Sequence, residues 1–530
     1  MKKITLFVFA ISAILTASAQ LKPDQKLRVT EGLIEQYYVD SVNSDKIVEE
    51  AIVAMLATLD PHSAYSNAEE TKALNEPLEG NFSGIGIQFN MVQDTLYVIQ
   101  TIAGGPSEQV GIRAGDRIIA ANDTTIAGVK MQNRDIMKRL RGPKGSVVNI
   151  DVVRRGEPGV KRFRIVRDDI PLYSVDAAYM ADPTTGYVRI SRFAAETPRE
   201  FAVAVNKLIR SGMKNLIIDL EDNGGGYLGA AVELANHFLH DNDVIVYTKG
   251  RNAPEQYFRA EGDGKLLDGR VVIMVNEFSA SASEIMSGAI QDNDRGLVVG
   301  RRTFGKGLVQ RPFPFPDGSM IRLTVSRYYT PAGRSIQKPY SKGDDADYFM
   351  DLKHRYEKGE FSSADSIHFS DSLRYETLRN HRAVYGGGGI MPDRFVPIDT
   401  TGVNAYYLEL RAKNAFNNYT VDYIDAHRDE LKKAYPNMDT FIADFKFTPQ
   451  MMDEFVSSAE KLGVKPNPEQ LEESRNAIST ILTGLIARDL FDYEAYYRIA
   501  NELNPVYREA LRLINSTDEY NSLLNKGNNK

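Results

Sequence analysis

The segment Glu277-Phe278-Ser279-Ala280-Ser281-Ala282-Ser283-Glu284-Ile285 follows the apolar run VVIMVN and opens a helical stretch. A serine at such a strand-to-helix turn sits at the positive end of a helix dipole, where the N–H of Ala282 can stabilise negative charge beside it. That is an arrangement for a nucleophile. The same letters have a plainer reading, because Ser281-x-x-Glu284 is a capping box and most such serines only close a helix end. The 530 residues include no cysteine, which removes thiolate nucleophiles, disulfides, thiolate zinc sites and iron–sulfur clusters together. Any nucleophile is therefore an oxygen or an amine.

Histidine is poorly placed to serve as its base. His240 lies in or beside the helical stretch that starts at Tyr227, and His354 falls in a polar segment. Lys306, in TFGKGLVQ, follows Ser281 by 25 residues, beyond one helix and one strand, as a neighbour from the next unit of an α/β sheet would. At its reference pKa of about 10.4 only roughly 0.04% of a lysine is neutral at pH 7, but burial lowers that value by up to ~3–5 units. Desolvation is the effect that would make Lys306 a base. Gln310, four residues on, shares a face with Lys306 in a strand or a helix and could orient its amine. Spacing alone favours the plainer readings, a solvated loop lysine and an ordinary strand glutamine.

Two glycine loops compete for a different chemistry. Gly224-x-Gly226-x-x-Gly229 lies between the strand NLIIDL and a helix and satisfies the dinucleotide fingerprint by letter. That fingerprint wants an acidic residue at the end of the next strand, where this chain has Lys249 and Gly250. A tight strand-to-helix turn with no ligand is the other reading. Gly300-x-x-x-x-Gly305-Lys306 has the spacing of a phosphate loop, but Gly307 supplies no hydroxyl for Mg²⁺, and Pro312, Pro314 and Pro316 forbid the helix that should follow. No nucleotide site is expected there.

These residues need a scaffold, and the patterning supplies several. Hydrophobic residues make up 42% and charged residues 25% of a chain long enough for three to four domains at about 150 residues each. The net charge of −7 gives no reason to expect nucleic-acid binding through phosphate neutralisation. Residues 1–19 read as a cleaved secretion signal, with Lys2 and Lys3, an apolar run too short to span a bilayer, and Ala17-x-Ala19. The mature protein is therefore expected to be exported, periplasmic or associated with the cell envelope. Residues 20–79 show helical periodicity, with Ile47, Ala51, Met55 and Leu59 at steps of four and Asp60-Pro61 as a stop. Short alternating runs and turn clusters over 80–170 predict a small β-rich module. Over 171–398 apolar strands alternate with helices, predicting an α/β core that a polar segment at 341–384 interrupts, and 399–530 is again helical.

Several ordered blocks resemble one family. LDPHSAY, FSGIGIQF, GPSEQVGIRAGDRI, DLEDNGGG, SASASEI, TFGKGLVQ, YYTPAGRSIQ and GGIMPD, spread over most of residues 35 to 395, are similar to the carboxyl-terminal processing peptidases, secreted serine proteases with a Ser–Lys dyad and a PDZ domain. The resemblance implies a multidomain α/β chain: an N-terminal helical region, a PDZ domain, a ClpP/crotonase-like α/β protease core and a C-terminal helical extension. It implies Ser281 as nucleophile, Lys306 as general base and Gln310 as the residue that positions it. The oxyanion hole would be the N–H of Ala282 with that of Gly225 or Gly226. Gly84, Ile85, Gly86 and Ile87 would bind a substrate's terminal carboxylate, the peptide adding as a strand to the sheet edge. The implied activity is ATP-independent endoproteolysis of exported proteins near free C-termini, with no cofactor, metal, nucleotide or nucleic acid. Where this chain has Glu221 the family commonly carries Arg, which puts the side-chain contacts of that loop in question but not its backbone donors. The competing readings are a noncatalytic PDZ adaptor on a protease-like core and a dinucleotide-dependent enzyme.

Overall fold

The computed structural model describes residues 22–343 and 345–525, so the expected signal at 1–19 lies outside the described residues. The chain forms two units. The first takes the described part of Met1–Ala68 with Gln310–Thr324 and Tyr340–Tyr348. Its helices run over Pro23–Tyr37 and Ser44–Ala57, the second capped by the Asn43 side chain, which accepts the Lys46 N–H at 3.0 Å. The helix expected from the steps of four is present, yet it buries only Leu56, and Met55 and Leu59 face solvent. Beyond it Asp60 Oδ1 accepts the N–H groups of His62 and Ser63, which turns the chain into the Ala64–Ser66 strand, paired antiparallel with residues 320–322.

The second unit holds the rest of the chain. Its β-rich module is closed by strands Asn81–Gly84 and Asp168–Pro171, which pair antiparallel. Between them lies an antiparallel sheet in the order Ile87–Val92, Thr95–Thr101, Arg117–Ala121, Val147–Val153 and Val160–Val166, over a core that includes Leu96, Ile118, Ile136, Val148, Ile150 and Val152. The order leaves Ile87–Val92 at the sheet edge.

The α/β core is a six-stranded sheet, Val175–Met180, Thr185–Ile190, Asn215–Asp219, Val271–Val275, Leu297–Gly300 and Arg394–Phe395, parallel after its first pair. Its central strands are apolar at nearly every position because both faces are covered. Helices Thr197–Arg210, Leu228–Asn236 and Ala282–Asp292 pack on one face through Phe201, Leu234 and Ile285. Helices Pro505–Asn515 and Thr517–Leu524 cover the other through Leu513, Ile514 and Tyr520, whose hydroxyl donates to the Val271 carbonyl oxygen at 2.9 Å. The last helices thus complete the core. Between sheet and C-terminus, helices Ala415–Ala434, Pro449–Lys461 and Pro468–Leu490 bury Phe416, Phe455 and Leu482 together. The starts of helices Pro449–Lys461, Pro468–Leu490 and Pro505–Asn515 are legible in Thr448-Pro449, Asn467-Pro468 and Asn504-Pro505, where a capping side chain precedes a proline with no N–H to satisfy. Among its described residues the 341–384 segment forms the α-helix Ala346–Glu357, the short 3₁₀ helices Ala364–Ser366 and Asp371–Leu373, and the strand Arg374–Glu376, which pairs antiparallel with Ala383–Tyr385. Among the described residues no helix is long and apolar enough to cross a membrane.

Candidate active site

The strand Val271–Val275 delivers the chain into a sharp turn. The Asn276 N–H donates to Ser279 Oγ at 2.9 Å, and that hydroxyl donates to the Leu220 carbonyl oxygen at 2.7 Å, so the turn is fixed to the end of the neighbouring strand. Ser281 follows with φ 56° and ψ −112°, a conformation that costs a non-glycine residue about 1–3 kcal/mol and persists only where the surroundings enforce it. Helix Ala282–Asp292 begins at the next residue, and Ser281 stays half-buried.

The enforcing group is Glu284. Its carboxylate is wholly buried and accepts four hydrogen bonds: Oε1 from Thr303 Oγ1 at 2.6 Å and the Gly305 N–H at 2.7 Å, Oε2 from the Ser281 N–H at 2.8 Å and the Lys306 N–H at 2.9 Å. One oxygen atom therefore joins the amides of Ser281 and Lys306. Tyr328 repeats the link on the carbonyl side, its hydroxyl donating to Ser281 O at 3.2 Å and also to Lys306 O. Burial pushes the Glu284 carboxyl up to about 7 against its hydrogen bonds, which favour the ionised form. The Lys306 segment is held from behind by the inserted helix: Arg355 Nη2 donates to Arg302 O at 2.6 Å and Nη1 to Thr303 O at 3.1 Å, while Lys338, whose N–H binds Gly305 O at 2.9 Å, pairs with Asp351 at 3.0 Å. Lys306 is half-buried, and a strand, Leu308–Pro314, follows it where a phosphate loop would need a helix.

The glycine loop closes on the same turn. The Asn223 carbonyl oxygen accepts the Ala280 N–H at 3.0 Å and Ser283 Oγ at 2.8 Å. Gly225 lies so close that a Cβ on it would stand 2.7 Å from both Ser281 Cβ and Ala280 O, and its φ of 101° belongs to glycine. The space a dinucleotide would need beside Gly225 is filled by Ser281. The Gly225 N–H donates to Asn223 Oδ1 at 2.8 Å. Gly226 presses against Phe193, whose carbonyl oxygen accepts the Tyr227 N–H at 2.8 Å.

Ser281, Ala282, Lys306 and the Gly225–Gly226 pair are thus neighbours within the second unit. Gln310 belongs to the first unit, where its Nε2 donates to Thr324 Oγ1 at 3.1 Å and that hydroxyl donates to Asp60 Oδ1 at 2.9 Å. In the β-rich module the Ile85 carbonyl oxygen accepts Ser107 Oγ at 2.6 Å and the Ser107 N–H at 3.0 Å, and Gly86 O accepts the Ile102 N–H at 3.0 Å. A trans peptide carries its N–H opposite its C=O, so the N–H groups of Gly86 and Ile87 point away from those partners. The Glu284 and Tyr328 bridges were not read from the sequence; Glu284 stood out only as a capping residue.

Comparison with known proteins follows the same lines. The model of peptidase family S41 matches residues 184–346, that of the PDZ domain residues 83–159, and that of a family of unknown function (DUF8443) residues 406–492. The carboxy-terminal processing protease CtpB of Bacillus subtilis (strain 168) is 35% identical over 330 residues, 61% of this chain and 68% of its own length. The chain belongs to the carboxy-terminal processing proteases of peptidase family S41. CtpA of the same organism is 31% identical over 67% of this chain and 78% of its own. Among solved structures the photosystem II D1 C-terminal processing protease, 28% identical, covers 60% of this chain and 91% of its own with a TM-score of 0.34. The β-rich module of this protease is its PDZ domain, a peptide-binding module.

Proposed function

We propose that this protease is an exported, ATP-independent endopeptidase that cuts proteins near their C-termini with Ser281 as nucleophile and Lys306 as general base. The observation that carries the reading is the shared Glu284 carboxylate, which ties a strained serine turn to the lysine segment. The neutral Lys306 amine takes the Ser281 hydroxyl proton as Oγ bonds to the substrate carbonyl carbon, whose oxygen becomes the oxyanion. The Ala282 N–H at the helix start and the Gly226 N–H receive that charge; we favour Gly226 because the Gly225 N–H already serves Asn223. The C–N bond then breaks, and the leaving amine takes the proton from the Lys306 ammonium. Water, deprotonated by the same amine, attacks the acyl ester, and the proton returns to Ser281 as the C–O bond breaks. Gln310, four residues from Lys306, is proposed to position its amine. The substrate's terminal carboxylate meets the loop Gly84 to Ile87, with outward N–H groups at Gly86 and Ile87, and its last residues pair with the edge strand Ile87–Val92.

The test is cleavage of an unfolded protein ending in nonpolar residues by wild type, Ser281→Ala and Lys306→Ala. Turnover is expected in the wild type alone. Undiminished cleavage by both variants overturns the assignment, and binding of C-terminal peptides by a wild type that never forms a serine adduct would favour an adaptor.

A further inference from the structure

The loop that carries Gly225 and Gly226 starts from two buried acids, Asp219 at the end of its strand and Glu221 two residues on. Asp219 is fully satisfied: it accepts Arg189 Nη1 at 2.5 Å, Tyr187 Oη at 2.6 Å and the Glu221 N–H at 2.8 Å. Arg189 reaches on to the Glu221 carbonyl oxygen at 3.0 Å and lies over the Tyr497 ring. The arginine of this region therefore comes from the adjacent strand, while position 221 holds an acid. Glu221 is 7% exposed, and its carboxyl accepts Asn504 Nδ2 at 2.7 Å. Asn504 lies in the C-terminal segment, beyond every family match, and its Oδ1 caps the Pro505–Asn515 helix by accepting the N–H groups of Val506 and Tyr507 at 2.9 and 3.2 Å.

We propose that Asn504 is a positioning residue for the oxyanion loop, its amide holding the Glu221 side chain beneath that loop so that the C-terminal segment sets how well the loop N–H meets the developing oxyanion. The inference rests on the catalytic reading above. Burial and the neighbouring Asp219 push the Glu221 carboxyl up to about 8, against the pull of Asn504, Arg301 and Arg189. Burial thus favours its uncharged form. The charged groups facing it are Asp219 from its own strand, Arg189 from the next, and Arg301. Both cations are already engaged, Arg189 with Asp219 and Arg301 with Glu277 at 2.6 Å; Asp222 stands 3.7 Å from Arg189. Ionisation of Glu221 thus places a second, uncompensated negative charge at the base of a loop that must receive another.

The experiment measures kcat and KM of the full chain on one peptide at about pH 7 and pH 9 for the wild type, Glu221→Gln, Asn504→Ser and Ser281→Ala, with Tm for each. Glutamine keeps the shape of the uncharged acid. The ratio of kcat at the higher pH to that at the lower is expected to rise about tenfold over wild type in Glu221→Gln, the change in protonation of a group titrating near 8 across that interval. Serine still caps a helix but is too short to reach Glu221, so Asn504→Ser is expected to lower kcat about three- to tenfold at constant KM, with the fall in Tm that a lost buried hydrogen bond brings. A wild-type pH ratio in Glu221→Gln, or an Asn504→Ser that shifts Tm while keeping kcat, overturns the proposal. Cleavage persisting in Ser281→Ala would instead strike at the catalytic reading, whatever the other variants do.

Discussion

Glu284→Gln probes the link between serine and lysine most directly. Each carboxylate oxygen accepts two donors, Thr303 Oγ1 and the Gly305 N–H on one side, the Ser281 and Lys306 N–H groups on the other. An amide offers one oxygen and one NH₂, so either orientation strips two buried donors of their acceptor and points N–H at N–H. An unsatisfied buried donor costs about 1–3 kcal/mol, so the loss of stability is ~2–6 kcal/mol before relaxation. If Ser281 and Lys306 separate by about 1 Å, kcat falls roughly 100-fold. The wild-type pH profile carries a second signature. As pH falls through about 7 the Glu284 carboxyl takes up a proton, one of its four hydrogen bonds fails, and kcat declines. Stability moves the other way. The folded value lies above the unfolded value of 4.5, so between about 7 and 4.5 the folded state binds a proton that the unfolded state does not, and falling pH adds about 3 kcal/mol from this group. The assay is steady-state peptide cleavage from about pH 5 to 8 with urea unfolding at each pH. Glu284→Gln that keeps wild-type kcat, or a wild type whose urea stability does not gain on that of Glu284→Gln as pH falls from about 7 to 5, refutes the reasoning.

Lys306→Arg should abolish turnover while leaving peptide binding by the PDZ domain intact, because a guanidinium does not deprotonate at working pH; calorimetry alongside the cleavage assay checks both halves. Gly225→Ala places a Cβ 2.7 Å from Ser281 Cβ at a φ of 101°, and should lower both Tm and, by about 100-fold or more, kcat. Asp425, in the Ala415–Ala434 helix, binds Arg117 of the PDZ sheet at 2.8 Å and Arg155 at 3.2 Å, beside Val421 packed on Tyr97 and Ile99. Asp425→Asn should weaken that contact by about 1–2 kcal/mol, between the values for exposed and buried pairs, seen as faster hydrogen exchange in strands Thr95–Thr101 and Arg117–Ala121.

Much of the scaffold is legible because its signals are local. VVIMV announces a strand covered on both sides, SASASEI a helix start, and Asn467-Pro468 a capped one. What letters do not show is convergence. Glu284 reads as a cap for Ser281, and only the fold brings Thr303, Gly305 and Lys306, 19 to 22 residues later, to the same carboxylate. Tyr328 lies in a recognisable block, but nothing in its neighbours says that its hydroxyl spans two carbonyls. The 341–384 segment reads as a polar interruption, yet Arg355 clasps the carbonyls before Lys306 because a guanidinium offers several donors in fixed directions. The apolar stripe of Ser44–Ala57 shows the converse: periodicity predicts the helix and says nothing of what covers it.

The backbone at Ser281 has an evolutionary corollary. Its φ of 56° is one that glycine adopts freely and other residues adopt at about 1–3 kcal/mol, so exchanging this serine for glycine would remove the proposed nucleophile and toughen the fold in one substitution. Descendants selected for durability alone would drift toward inert, sturdier copies, and the hydroxyl endures only where cutting is itself rewarded.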